Sequence, residues 1–312
     1  MKASPQLNPY RPKFGITPKI TDAELITVSV MQALRGYHNV SRWIRYARNS
    51  LIHLFPDLPK QPGYNKRLRR LTTQLTYLIA VLVTDTDLWQ HPIRIADSTP
   101  VPCGMSRETA LRSDLDCWAV YGYCASHSRL FWGLRLHLVT TVHGLPVAFA
   151  LSNAKTNERE VLVDLVTLQP SMFHHPDGLI LVADKGYRDR DTETWLNDRG
   201  ITVIRPAYRT EPERPGRGLL RAVRQSIESV NQTFKGQLDL EHHGGRTITG
   251  VAVRILQRVL AADRGDRAQL AHRPTSPTVT GRLRPLTPWN RSSRPLGGGL
   301  RGPCRARLPP GA

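Results

Sequence analysis

Acidic residues are scarce in this chain: 25 Asp and Glu face 44 Lys and Arg, a formal net charge of +19 over 312 residues. The imbalance points to a polyanionic partner, because Lys and Arg displace counterions from phosphate. Charge alone leaves DNA, RNA and an anionic membrane surface open. Cysteine is scarce too. The four are Cys103, Cys117, Cys124 and Cys304, and no pair has the C-x-x-C spacing of a zinc knuckle, which argues against structural zinc. No apolar h-region follows Met1-Lys2-Ala3-Ser4-Pro5, so no signal peptide is expected. The longest apolar run, Leu75 to Val83, falls well short of the about 20 residues that span a bilayer. These absences predict a cytosolic, reduced protein without a membrane partner. What is plentiful is apolar residue, 40% of the chain, enough to bury the core of one large domain or two ordinary ones.

Residues 1–20 are rich in Pro and Lys and show no period. From Thr21 the pattern turns helical, with Thr21-Asp22-Ala23-Glu24 as an N-cap and acidic first turn. Leu25, Val28, Val30, Met31 and Leu34 form a stripe that ends at Gly36. A second helix is expected over about 40–54 and a third over about 65–83, so residues 21–88 read as a small all-helical unit. From residue 92 short apolar strands appear at 93–96, 130–141, 146–151, 179–183 and 201–204, with a hairpin at His143-Gly144-Leu145. Helices are expected over 158–168, 192–198 and 219–238. This order, three strands and then strands alternating with helices, predicts an α/β fold with a mixed sheet and flanking helices. Residues 261–312 hold ten Arg, eight Pro and no Lys. That composition fits a disordered basic tail or out-of-frame translation of GC-rich DNA, and on either reading no packed structure is expected.

Two strands run into an aspartate, Ile93-Arg94-Ile95-Ala96-Asp97 and Leu179-Ile180-Leu181-Val182-Ala183-Asp184. A carboxylate at the end of a buried strand is costly unless it is paired or binds a cation. Two on neighbouring strands would concentrate negative charge where ligands collect in such sheets, and hard cations such as Mg²⁺ would relieve it. Each Asp could instead merely cap a turn. A third acid, Glu228, shares a helix stripe with Arg221, Arg224 and Lys235, which lie within roughly 60° of one another at 3.6 residues per turn. Periodicity does not separate a functional stripe from a solvated one carrying an Arg224–Glu228 pair.

The residues Ile95-Ala96-Asp97-Ser98-Thr99-Pro100 and Ala183-Asp184-Lys185-Gly186-Tyr187 resemble the first two acidic motifs of bacterial insertion-sequence transposases of the DDE type, in the IS-four-like group. Arg224, Glu228 and Lys235 stand at the spacing of that family's third motif, Tyr-x2-Arg-x3-Glu-x6-Lys, with Arg221 in place of the Tyr. Phe131-Trp132-Gly133-Leu134-Arg135-Leu136-His137 with Gly144-Leu145-Pro146 resembles the family's second and third strands. Asn157-Glu158-Arg159-Glu160 resembles the start of its next helix.

The resemblance implies a ribonuclease-H-like core over 91–260, preceded by a helical DNA-binding domain over 21–90. It implies Asp97, Asp184 and Glu228 as catalytic metal ligands for two Mg²⁺ ions, with Mn²⁺ able to substitute, and cleavage followed by strand transfer through in-line displacement at phosphorus. Lys235 and Arg224 are the expected phosphate contacts, with Lys185 a weaker candidate. Arg42, Arg45 and Arg48, with Trp43 and Tyr46 between them, suit backbone contact with double-stranded DNA. The expected partners are the element's terminal inverted repeats and target DNA, with the protein acting as a homodimer or larger assembly in a prokaryotic nucleoid. A nuclease without strand transfer and an inactive DNA-binding remnant are the alternatives. His137, His174-His175 and His242-His243 read as structural or surface residues.

Overall fold

The computed structural model describes residues 18–270 apart from 105 and 125–127, and leaves out the side chains of 227, 231, 235 and 263–270. Most of the basic N-terminal segment and the tail from residue 271 lie outside the described residues.

Four helices come first: α1 (Asp22–Leu34), α2 (Val40–Ser50), α3 (Gln61–Arg70) and α4 (Thr72–Thr84). The expected cap of α1 is a full capping box. The Glu24 N–H donates to Thr21 Oγ1 at 3.2 Å and the Thr21 N–H to Glu24 Oε2 at 2.8 Å. The single helix expected over 65–83 is two helices. Leu71 leaves helical geometry between them, and the Thr72 hydroxyl binds back to the Arg69 carbonyl at 2.8 Å.

The sheet has six strands: β1 (Ile93–Gly104), β2 (Val120–Cys124), β3 (Arg129–Thr141), β4 (Pro146–Asn153), β5 (Leu179–Val182) and β6 (Ile201–Ile204). Its order is β2-β3-β1-β5-β6, with β2 and β4 sharing the other edge of β3. Strands β1, β3 and β4 pair antiparallel, while β5 and β6 run parallel to β1. A short helix α5 (Arg107–Arg112) precedes β2, and α6 (Glu158–Leu168), α7 (Arg190–Asn197) and α8 (Arg217–Gln232) alternate with the later strands. This is the expected α/β fold, a ribonuclease-H-like mixed sheet with flanking helices behind a helical N-terminal region. Helix α8 seats on Ile95 and Val182 through Val223. The alternate residues Ala96 and Leu181 point the other way, into the main core.

Besides the split third helix and the unexpected β2 and α5, two features depart from the sequence reading. Strand β1 does not stop at Ala96 but continues through Pro100 and Pro102 to Gly104. Prolines donate no ladder hydrogen bond, which is why the run looked finished. Opposite them, a Cβ on Gly133 would lie 2.2 Å from the Val101 carbonyl oxygen, so β1 and β3 approach at a distance only glycine allows. The second feature is α9 (Ile248–Leu270), which had not been assigned and which crosses the boundary expected at residue 260. Every residue from Val251 to Ala261 is buried, Arg254, Gln257 and Arg258 included. A helix buried all round has no amphipathic period to read.

Helix α9 packs on α1, α3, α4 and β4, so the N-terminal helices and the sheet share one core. Arg254 fixes that junction. It donates to Gln32 of α1 at 3.0 Å, to Asn65 of α3 at 3.1 Å and to Gln257 at 2.9 Å. Replacing it with Ala removes the Arg254 donor from the Asn65 and Gln257 amide oxygens and leaves the Gln32 oxygen with the Tyr64 hydroxyl alone. Arg254→Ala is expected to lower unfolding free energy by about 3 kcal/mol, measured by denaturant titration. An unchanged midpoint would show that the network holds nothing together.

Candidate active site

The parallel pairing of β1 with β5 matches Ile93 to Ile180, Arg94 to Leu181 and Ile95 to Val182. The same offset carried two residues further matches Asp97 to Asp184. Strand pairing stops at Val182, so Asp184 stands in the turn just past β5, close enough to Asp97 for that carboxylate to raise its pKa. Asp97 lies mid-strand in β1, not at its end as the sequence suggested. It stands beyond the end of β5, however, so the opening at the carboxyl end of β5 is still where it faces. Ile95, Thr99, Leu138 and Thr140 surround it on the sheet, and Val230 and Phe234 close over it from the chain of α8 and its continuation. The Ser98 N–H donates to its Oδ1 at 2.8 Å.

Asp184 caps the turn Lys185–Tyr187, accepting the Gly186 N–H at 2.8 Å. Turn capping and a place in the acidic pair are thus compatible. Its carboxylate reaches solvent at a crowded surface. Surrounding protein that displaces water, and then the Glu158 and Asp97 carboxylates, push its pKa above the ordinary 3.8.

Glu158, which the sequence placed only at a helix start, belongs to this cluster. Asn157 caps α6 and sets Glu158 in its first turn. One carboxylate oxygen accepts the Ser98 hydroxyl at 2.5 Å and an Arg135 N–H. The other lies 2.9 Å from where a Gly186 Cβ would be, and Asp184 Oδ1 lies 3.0 Å from the same point. Glycine is needed there because two carboxylates fill the side-chain space. The buried Tyr187 hydroxyl is held well above its ordinary pKa by burial and then by Glu158, Asp97 and Asp184, all of which surround it. The sequence reading ended the first strand at Ala96, before Ser98. The meeting of Ser98 and Arg135 with Glu158, 60 residues from Ser98, was not legible in it.

Glu228 is placed differently. It pairs with Arg224 at 2.9 Å on α8, with the two side chains 64% and 77% exposed. Helix α8 meets the sheet through Leu219, Leu220 and Val223, on another side from this pair. The structure brings Asp97 and Asp184 together and leaves Glu228 and Arg224 in solvent. The side chain of Lys235 lies outside the described residues. Lys185 is exposed beside Asp184. Arg42 and Arg45 are exposed on α2, but Trp43 between them turns inward: it is fully buried and its ring packs tilted against Tyr37 and Tyr46.

His137 and His243 are buried. His137 shares a hydrogen bond with Ser152 Oγ at 2.8 Å, and burial, then Arg135, pulls its pKa down to about 3. His243 bonds the Pro102 carbonyl at 2.9 Å, and burial pulls it down to about 4. Both are neutral structural groups.

Among the described residues, no three His, Cys, Asp or Glu side chains stand together closely enough to hold an ion. The donor set at Asp97 and Asp184 is carboxylate oxygen alone, which suits a hard divalent cation. Their mutual repulsion is what such a cation would relieve.

The family described as transposase DDE domain matches residues 88–263. No curated protein sequence matches the chain. Among solved structures, the piggyBac transposase synaptic complex with hairpin DNA is similar at 9% identity and TM-score 0.40, covering 86% of this chain and 71% of that one. The Mos1 strand transfer complex gives 12% identity and TM-score 0.23, covering 82% and 81%. A pre-cleavage Mos1 transpososome gives 12% and 0.23, covering 82% of each.

Two outcomes test this electrostatic picture in the metal-free protein. A carboxylate whose folded pKa is raised costs stability as pH rises through that pKa. Asp184→Asn should therefore raise the melting temperature at neutral pH and lose that advantage in acid; a drop at neutral pH contradicts the repulsion. The histidines act in the opposite sense. Their folded pKa values of about 3 and 4 lie below the ordinary 6.5, so stability is lost as pH falls below 6.5. His137→Gln should flatten that dependence in thermal melts between about pH 4 and 7, and an unaltered slope excludes His137 as its source.

Proposed function

The chain belongs to the transposase DDE domain family, and we propose that it cuts and joins DNA as the transposase of an insertion sequence. The observation that carries this reading is the meeting of Asp97 on β1 and Asp184 just past the carboxyl end of its parallel neighbour β5, where Asp97 helps raise the Asp184 pKa. Placed in a chain with net charge +19, two acids that repel one another serve a cationic cofactor better than they serve stability.

Two Mg²⁺ ions, with Mn²⁺ as a substitute, would polarise the phosphodiester and stabilise attacking and leaving oxygens. Asp97, Asp184 and Glu228 are proposed to hold them. The chain's own groups do the rest. Arg135 and Ser98 hold Glu158 against the Asp184 turn, and Gly186 keeps that space open for both carboxylates. The Val230 and Phe234 side chains line the apolar cavity beside Asp97. Cleavage uses water as nucleophile and releases a DNA 3′-OH; strand transfer uses that hydroxyl against target DNA. Each step breaks one P–O bond and forms another, and no covalent bond to the protein is required.

Lys185, Arg224 and Lys235 are proposed to contact phosphate near the scissile bond, and Arg42 and Arg45 to contact the backbone of the element's terminal inverted repeats. A homodimer or larger assembly would bring two ends together, in a prokaryotic cytoplasm at the nucleoid. No helix among the described residues is long and apolar enough to cross a membrane. The nuclease and remnant alternatives differ in the product formed.

The test is cleavage and strand transfer of DNA carrying the element's ends. Asp97→Asn should abolish both with DNA affinity unchanged, and retained cleavage removes Asp97 from the site. Glu228→Gln should do the same, whereas Glu158→Gln should only slow the reaction. The reverse order would make Glu158 the third carboxylate.

A further inference from the structure

A cleft of about 830 Å³ opens on a different part of the molecule from the acidic pair. The start of α2 and the face of α3 form one wall, and the end of β1 at Pro102–Gly104 forms another. The loop 241–247 and the first turns of α9 form its floor. We infer that this cleft holds the phosphates of one strand of DNA flanking the scissile bond. This rests on the reading of the protein as a DNA transposase.

The charge of the lining supports a polyanionic occupant. Arg69, Arg129, Arg246 and Arg254 contribute to the wall, and Glu241 is its single acid among the described residues. Glu241 is already ion-paired with Arg129 at 3.2 Å. Arg254, at the back, donates to the neutral oxygens of Gln32, Gln257 and Asn65 rather than to a carboxylate. Arg69 bonds a backbone carbonyl at 3.3 Å, and Arg246 is exposed with no acidic partner among the described residues. Helix α9 starts in the same cleft, with no acidic side chain in its first turn to offset its positive end. Fixed cations around an open cleft, with a helix N-terminus as floor, form a phosphate site rather than an apolar ligand pocket.

Position says which phosphates. Pro102–Gly104 lie five to seven residues beyond Asp97 on β1, roughly 17–23 Å at about 3.3 Å per residue. One phosphate cannot serve both places. For DNA running along β1, at about 3.4 Å per base pair, the cleft meets it about five to seven base pairs from the scissile bond.

DNA binding is measured by fluorescence anisotropy in a metal chelator across a salt series, so that catalysis plays no part. Both Arg69 and Arg246 are exposed, so Arg69→Glu with Arg246→Glu leaves the core intact, which the melting temperature checks. Arg69→Gln with Arg246→Gln serves if the first pair does not fold. Arg199→Glu, on the Trp195 ring of α7, makes a like charge change away from the cleft. The double cleft variant should lose at least tenfold affinity, and its log K against log salt slope should flatten by about 2, near 0.9 per lost phosphate contact. Methylphosphonate substitution about five to seven base pairs from the scissile bond should weaken wild-type binding and leave the double variant unaffected.

An unchanged slope, or an equal loss per charge in Arg199→Glu, overturns the cleft. Wild-type protein that binds and cleaves normally while the double variant also binds normally removes only this inference. Wild-type protein that binds no DNA removes the proposed function with it.

Discussion

A buried guanidinium without a carboxylate partner governs how this protein is assembled. Arg254 is 7% exposed, and burial lowers its pKa. Taking such a cation out of water is expensive unless its N–H groups all find acceptors. Gln32 from α1, Asn65 from α3 and Gln257 from α9 supply them, and the Tyr64 hydroxyl donates to the same Gln32 oxygen at 3.1 Å. One turn on, Arg258 donates to the Leu238 carbonyl at 2.7 Å and the Asp239 carbonyl at 3.2 Å. These carbonyls lie just past α8 and its π-helical continuation Thr233–Gln237. The two arginines thus set the N-terminal helices, α9 and the end of α8 in one register, because any other would leave a charge buried without acceptors.

The consequence is that the N-terminal helices are not an appendage. The sequence suggested a separable unit, since residues 21–88 carry their own caps and stripes. In the structure Leu25, Val28, Leu68, Leu75 and Ile79 belong to the same core as Val251, Ile255 and Val259. The same packing brings α2 and α3 up to the loop before α9 and so creates the basic cleft. Arg254 holds the joint from within and lends its charge to the cleft wall.

How much of this was legible depended on whether a residue's role was local. The α1 capping box, α6 over 158–168 and β6 over 201–204 were readable because cap and period are properties of neighbours in sequence. Asp97 and Asp184 were readable as candidates because each follows a short apolar strand. Their meeting was not, since it depends on β1 lying beside β5. Glu158 joins the site through Ser98 and Arg135, residues far from it in sequence. Helix α9 escaped notice because burial on every side removes the period, and three of its polar residues look out of place until their acceptors are known.

The third carboxylate can be weighed by what each candidate would give up. Glu158 is held by Arg135 and Ser98, with the Arg135 and Glu158 side chains only 17% and 18% exposed. Drawing it away would leave a largely buried guanidinium without its anion, a loss of several kcal/mol by the behaviour of buried pairs. Glu228 gives up only an exposed i,i+4 contact with Arg224, worth roughly 0.3–0.5 kcal/mol. Glu158 is also already neutralised by Arg135, so it adds little charge for cations to balance. The cheaper rearrangement is therefore the one that frees Glu228. The freed Arg224 would then stand on the same helix face, available to a phosphate. Rotating or bending α8 by this route acts on the segment where its hydrogen bonding already departs from α-helical, at Thr233–Gln237. Under the proposed function, Glu158 keeps the Asp184 turn in place and Glu228 is the carboxylate proposed to complete the metal site.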